Sequence, residues 1–218
     1  MLTLRGACSI SGELVDLTTT NADCPRCHSG IRQRFAFEVL RQRTLFKTAP
    51  MRVVHFAPDP GIYAALRRRR NIDYIAADLN PARFAKATKL DITAINLLPE
   101  SVDGIICIHV LEHIADDRQA ISELFRILRP GGWALIAVPT YGMTTYEDPE
   151  LDYLGRERMY GAGDHMRLNG LDFAYKLRNA GFAVETIALT DIPGNFVDLT
   201  LATPHIDSDR YIFLCRRK

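Results

Sequence analysis

The run Val102-Asp-Gly-Ile-Ile-Cys-Ile-His109 constrains the fold more than any other stretch of the chain. It is apolar without alternation, which reads as a strand covered on both faces. A helix follows it. Asp116 stands as the N-cap with Gln119 three residues on, in the manner of a capping box. Ile121, Leu124, Phe125 and Leu128 then fall at i, i+3, i+4 and i+7, one apolar stripe for a sheet. Pro130-Gly-Gly132 stops the helix, and Trp133-Ala-Leu-Ile-Ala-Val138 is the next strand.

The same alternation starts near residue 51 and predicts a parallel sheet with helices on both faces. Strands are expected at 52–56, 73–77, 182–189 and 211–215, and helices at 61–70, from Pro81, and at 171–180. Arg67 to Arg70 end the first of these helices, where cations suit the helix dipole. Residues 139–169 have no clear periodicity, and a loop of that length is commonly a lid or substrate loop. With 47% apolar residues and a net charge of +1, the chain is an ordinary globular composition. The charge gives no general attraction to nucleic acid or membrane, although residues 1–50 carry +3 and the remainder −2. No signal-like leader and no run near ~18 apolar residues is present. Five cysteines, two of them (Cys107 and Cys215) in strand-like runs, suggest reduced thiols and a cytoplasmic protein.

Asp103 opening the long strand, Ile-His-Val-Leu-Glu-His113 after it and Leu-Phe-Arg-Ile-Leu-Arg-Pro-Gly-Gly132 closing the next helix together resemble class I S-adenosylmethionine-dependent methyltransferases. The resemblance covers residues 51–218. It implies a Rossmann-like α/β fold: a seven-stranded methyltransferase sheet with helices on both faces (49–218), preceded by a small cysteine-containing N-terminal segment and docking helix (1–48). It also implies S-adenosylmethionine as cofactor. In doubly wound sheets the ligand crosses the carboxyl ends of the strands where strand order reverses. Asp78, 17 residues past Gly61, is placed to accept hydrogen bonds from the ribose hydroxyls, with Leu79 beside it. Asp91 is placed for the adenine amino group and Ile92 for packing on the base, with His109, Val110 and His113 flanking the pocket.

After the first strand such enzymes carry an acid and three alternating glycines. This chain instead reads Val54-His55-Phe56-Ala57-Pro58-Asp59-Pro60-Gly61. His55 replaces the acid, and only Gly61 survives among the glycines. Phe56, Ala57, Pro58, Asp59 and Gly61 are the expected cofactor loop, with Asp59 able to meet the cationic amino group of the methionine moiety. A subset of methyltransferase-like proteins carries a similar His-Phe-Ala-Pro-acid stretch.

Cys24-Pro-Arg-Cys27 has a metal-knuckle spacing, and the similar family often has two such pairs in a zinc-ribbon-like element. Here Cys8 has Ser11 in its partner position, so the four ligands of a closed zinc site are incomplete and structural zinc is not favoured. The helix after it, with Ile31, Phe35, Val39 and Phe46 on one stripe, is expected to dock on the main domain with its arginines facing away.

Methyl transfer from a sulfonium is a displacement governed by alignment, and a hydroxyl or amine acceptor must also lose a proton. His165, in Gly163-Asp-His-Met-Arg167, is the expected catalytic base, with Asp164 or Arg167 orienting the acceptor. The acceptor is expected to be a small molecule with an oxygen or nitrogen nucleophile. Alternatives are an RNA or protein methyltransferase, suggested by the cysteine pair and the basic helix, or a non-catalytic binding module. A nicotinamide dehydrogenase is disfavoured, since no Gly-x-Gly-x-x-Gly follows the first strand.

Overall fold

Alternate residues of the apolar strands go to opposite sides of one sheet, and two separate cores form against them. The computed structural model describes residues 5–16, 23–83, 87–192 and 209–218. In chain order the elements are β1 (Arg5–Ala7), β2 (Leu14–Asp16), α1 (Ile31–Arg43), β3 (Met51–Phe56), α2 (Pro60–Leu66), β4 (Ile72–Asp78) and β5 (Thr88–Lys89). Then come β6 (Val102–Ile108), α3 (Asp117–Ile127), β7 (Leu128–Ala137), α4 (Tyr153–Tyr160), α5 (Phe173–Asn179), β8 (Ala183–Ala188) and β9 (Tyr211–Arg216). Among the described residues seven strands make one sheet in the order β5-β4-β3-β6-β7-β9-β8, and β1 and β2 pair as a separate antiparallel ribbon. The strands from β5 to β7 run parallel, whereas β9 is antiparallel to both β7 and β8.

Val53, Ile106, Trp133 and Leu135 face the core that α1, α2 and the N-terminal ribbon cover. Val54, Ile105, Cys107, Ala134 and Ile136 face the other core, filled by α3 and α5. Each such valine, leucine or isoleucine contributes roughly 1.5–3 kcal/mol by leaving water. α3 owes its start to Asp116, whose carboxylate accepts from Gln119 N at 2.9 Å. The reciprocal half of the expected box is missing, because the Gln119 side chain donates to Thr93 O instead.

Several elements differ from the sequence expectation. α2 ends at Leu66, so Arg67 caps it and Arg68–Arg70 lie beyond it. Arg67 and Arg69 lie over the Tyr63 and Phe46 rings, 5.0 and 4.8 Å from the centroids, which competes with continuing the helix. Pro81 opens a 3-10 turn, Pro81–Arg83, and the continuation expected from the sequence, residues 84–86, lies outside the described residues. The Pro130-Gly-Gly132 stop falls within the first half of β7, where the pairing with β6 shifts register. The stretch 139–169 contains α4, started by Asp152 accepting from Gly155 N and ended by left-handed Gly161. No described helix is long and apolar enough to cross a membrane.

Candidate functional site

Strand order reverses at β3, which has β4 on one side and β6 on the other. Two left-handed residues mark the carboxyl ends there: Ala57 after β3 (φ 45°) and His109 after β6 (φ 53°). Each is pinned by a backbone bond to the neighbouring strand, Ala57 N to Ala77 O and His109 N to Ala137 O, both 2.8 Å. A left-handed alanine costs about 1–2 kcal/mol, and such strain persists where surrounding structure over-determines it. Glycine at 57 would remove that cost and add about 0.5–1 kcal/mol of chain entropy loss. Ala57→Gly is therefore expected to raise stability by about 0.5 kcal/mol, read as a higher denaturation midpoint at unchanged slope; a lower midpoint would show the turn to be unstrained.

Below these turns lies a cavity of about 550 Å³. Phe56, Ala57, Asp78, Leu79, Asp91, Ile92, His109, Val110 and His113 line it, and all nine were expected from the sequence. Asp78 closes β4, and its Oδ1 accepts from Asn80 N at 2.7 Å. Asp91 is held in a turn by Thr93, whose hydroxyl and backbone N–H both donate to its carboxylate and keep its pKa low. The opposite wall comes from the long loop: Tyr153 and Arg156 of α4, then Gly163, Asp164 and Met166.

Pro58, Asp59 and Gly61, expected in the same lining, are elsewhere. Asp59 caps α2 through Ile62 N, and a Cβ on Gly61 would collide with the Ser29 hydroxyl. The surviving glycine thus lets the N-terminal segment dock on α2. Asp59 opens instead on a second space of about 190 Å³, which shares Ala57 and His109 with the first and is also lined by Arg32, Gln33, His55 and Ile108. His55 is fully buried, and burial drives its pKa down to about 3, so the imidazole that replaces the usual acid is neutral. Its Nδ1 lies 2.8 Å from the Tyr74 hydroxyl. Burial also raises the Asp59 carboxyl, whose Oδ2 has no hydrogen-bond partner among the described residues.

The arginines of α1 do not all face away. Arg34 is buried and donates to Ser29 O, while Arg32 reaches His109 Nδ1 at 2.8 Å. A guanidinium only donates, so Nδ1 carries the lone pair, and Nε2 lies 3.0 Å from Asp209 Oδ1. Behind His109 and His113 sits Glu112, 1% exposed, a residue of the same motif with no role expected from the sequence. Burial pushes its carboxyl up to about 8. The signal was visible: an acid between Leu111 and His113, four residues past a strand that is apolar after Asp103.

His165 does not line the cavity. Its ring packs edge-on against His113, centroids 4.9 Å apart, and burial lowers its pKa, keeping the imidazole neutral near pH 7. Arg167, expected to orient an acceptor, is unavailable for that: its side chain is 1% exposed and fully engaged with Glu147, Asp117 and three backbone carbonyls. Among the described residues, Arg156 is the arginine that lines the cavity.

In the N-terminal segment Cys8, Cys24 and Cys27 converge, with ligand atoms within 4.8 Å of one another. The Ser11 hydroxyl lies 3.1 Å from Cys24 Sγ, in the place a fourth thiol would take. Burial opposes the Cys24 thiolate, but hydrogen bonds from Ser11 and from the backbone of Cys27 and Arg26 outweigh it and bring the thiol to about 7. Three thiols and a hydroxyl fall short of the four nitrogen or sulfur donors of a closed structural zinc site.

Residues 29–187 match the family described as a methyltransferase domain. A probable S-adenosylmethionine-dependent methyltransferase of Mycolicibacterium smegmatis is 33% identical over 158 residues, 68% of this chain and 58% of that protein. The chain thus spans about three fifths of the length of that relative and a third of an uncharacterized 37.1 kDa protein of Streptomyces fradiae that is 31% identical over 126 residues. Among solved structures, an S-adenosylmethionine-dependent methyltransferase from Archaeoglobus fulgidus superposes with a TM-score of 0.57 at 17% identity, over 86% of this chain and 95% of that one. The cyclase SpnF superposes with a TM-score of 0.60 at 13% identity, over 87% and 82%, so the fold by itself does not fix the reaction. Strand order, strand-end acids and the matched domain agree: the chain belongs to the class I S-adenosylmethionine-dependent methyltransferase family.

Proposed function

We propose that this chain transfers the methyl group of S-adenosylmethionine to an oxygen or nitrogen nucleophile of a small-molecule acceptor. The observation that carries the reading is the cavity at the strand-order switch, with carboxylates on one wall and a loop-borne helix on the other. In this reading Asp78 accepts from the ribose hydroxyls, while Asp91 and Ile92 hold the adenine. The methionine end enters the smaller space, its ammonium against Asp59 and its carboxylate against Arg32. The sulfonium methyl then faces His113, Tyr153, Arg156 and Asp164. The volume suits a ligand of drug-like size rather than a polymer groove. Arg156 favours an acceptor bearing an anionic group, and neutral His165 beside His113 offers a route for the acceptor's proton.

Titration with S-adenosylhomocysteine is expected to show saturable 1:1 binding. Asp78→Ala should weaken it by ~1.5–3 kcal/mol, the cost of a lost charged acceptor. Absence of binding at millimolar ligand would leave the domain a non-catalytic module.

A further inference from the structure

We propose that Glu112, His113 and His165 bind one divalent metal ion at the acceptor end of the cavity. One ligand atom from each lies within 4.8 Å of the other two. The carboxylate comes from the turn that ends β6 and the second imidazole from the loop after α4, so two distant segments deliver the donors to one point. Two imidazoles and one carboxylate, with positions left open, form a donor set that first-row divalent ions accept. Their metal–ligand distances of about 2.0–2.2 Å would draw the three side chains closer together.

Glu112 is the independent observation. Both its carboxyl oxygens are buried and lack a hydrogen-bond partner among the described residues. Such an orphaned carboxyl is costly, and a cation removes the cost. His109 does not satisfy it, although its Nδ1 is 3.4 Å from Glu112 Oε1, because that nitrogen accepts from Arg32. His113 is placed to be a ligand: its Nε2 lies 4.0 Å from Glu112 Oε1, and its Nδ1 lies 3.3 Å from Asp164 Oδ2. A carboxylate behind a ligating histidine fixes the tautomer and raises the basicity of the ligating nitrogen.

The inference rests on the methyltransferase reading and narrows its substrate class to an acceptor with a metal-binding hydroxyl. An oxygen bound at an open position becomes more acidic. Its proton leaves through exposed Asp164 to water; the oxygen–carbon bond forms as the carbon–sulfur bond breaks, and the electron pair stays on sulfur, giving the neutral thioether. With an ion bound, His165 acts as ligand rather than as base.

Protein freed of metal by chelation is titrated with Mn2+ and followed by electron paramagnetic resonance, since manganese favours oxygen and nitrogen over thiolate. One Mn2+ per chain is expected. His165→Ala and Glu112→Gln should weaken it about a hundredfold, and Asp164→Asn, which removes the charge 3.3 Å behind His113, about tenfold. Cys24→Ser should leave it unchanged. Should Glu112→Gln fail to fold, His165→Ala alone decides. No saturable binding by millimolar Mn2+, unchanged binding in His165→Ala, or loss only in Cys24→Ser overturns the site. S-adenosylhomocysteine binding to the metal-free protein is measured in parallel, so failure of the metal site is told apart from failure of the methyltransferase reading.

Discussion

His165→Ala is expected to bind S-adenosylhomocysteine as tightly as the parent while losing ~10²–10⁴ of its turnover, the range for removing a group that manages the acceptor's proton. The separation follows from geometry. His165 packs on His113 at the acceptor end, whereas Asp78, Asp91 and Ile92 line the cavity and His165 does not. Turnover is measured with radiolabelled methyl donor and whichever cell-extract fraction accepts the label. Parallel losses of stability and of cofactor affinity would instead make His165 a brace between the loop and β6. Full turnover in the variant would remove it from the reaction.

Arg167→Met is expected to cost about 3–5 kcal/mol of unfolding free energy, the usual loss when one partner of a buried ion pair is deleted. The guanidinium is forked against Glu147 and donates to Leu111 O, Ile114 O and Ala115 O at 2.7–3.1 Å. Asp117 keeps Lys176 at 2.6 Å and partly exposed Glu147 can turn to water, but the three carbonyls lose their donor. These carbonyls belong to the turn that carries Glu112 and His113, so the same variant should also weaken cofactor binding. Lysine should not rescue it, because one ammonium cannot span that many acceptors. Urea denaturation checks the magnitude; a cost below ~1 kcal/mol would show the network to be no better than a surface pair.

Much of this site was legible because its residues sit at strand ends, and strand ends follow from apolar runs. Once 102–109 reads as a buried strand, His109, Val110 and His113 must emerge at its carboxyl edge, and Asp78 follows from the neighbouring strand, whereas Asp91 came from the family resemblance, since the two-residue β5 before it has no apolar run. What stayed hidden depends on contacts between distant segments. Nothing local distinguishes Arg167, which is sealed against Asp117, from Arg156, which faces the cavity three residues after the start of α4. Gly61 looked like a loop glycine because the Ser29 hydroxyl that requires it lies 32 residues earlier. α4 escaped notice because its turns have no apolar stripe: only Gly155 and Tyr160 are buried.

The position of β9 bears on how the chain acquires its shape. β8 reaches the sheet only through β9, which lies between it and β7. During synthesis, β3, β4, β6 and β7 can pair as they leave the ribosome, while β8 emerges with no strand to join. Tyr211–Arg216 must then slot between two edges that already exist, one of them still loose. Until that happens β7 presents an unpaired edge whose Ala134, Leu135 and Ile136 are apolar, a template for pairing with another nascent chain. A chain arrested before residue 211 should therefore aggregate through β7, even though every residue that lines the larger cavity has already been made.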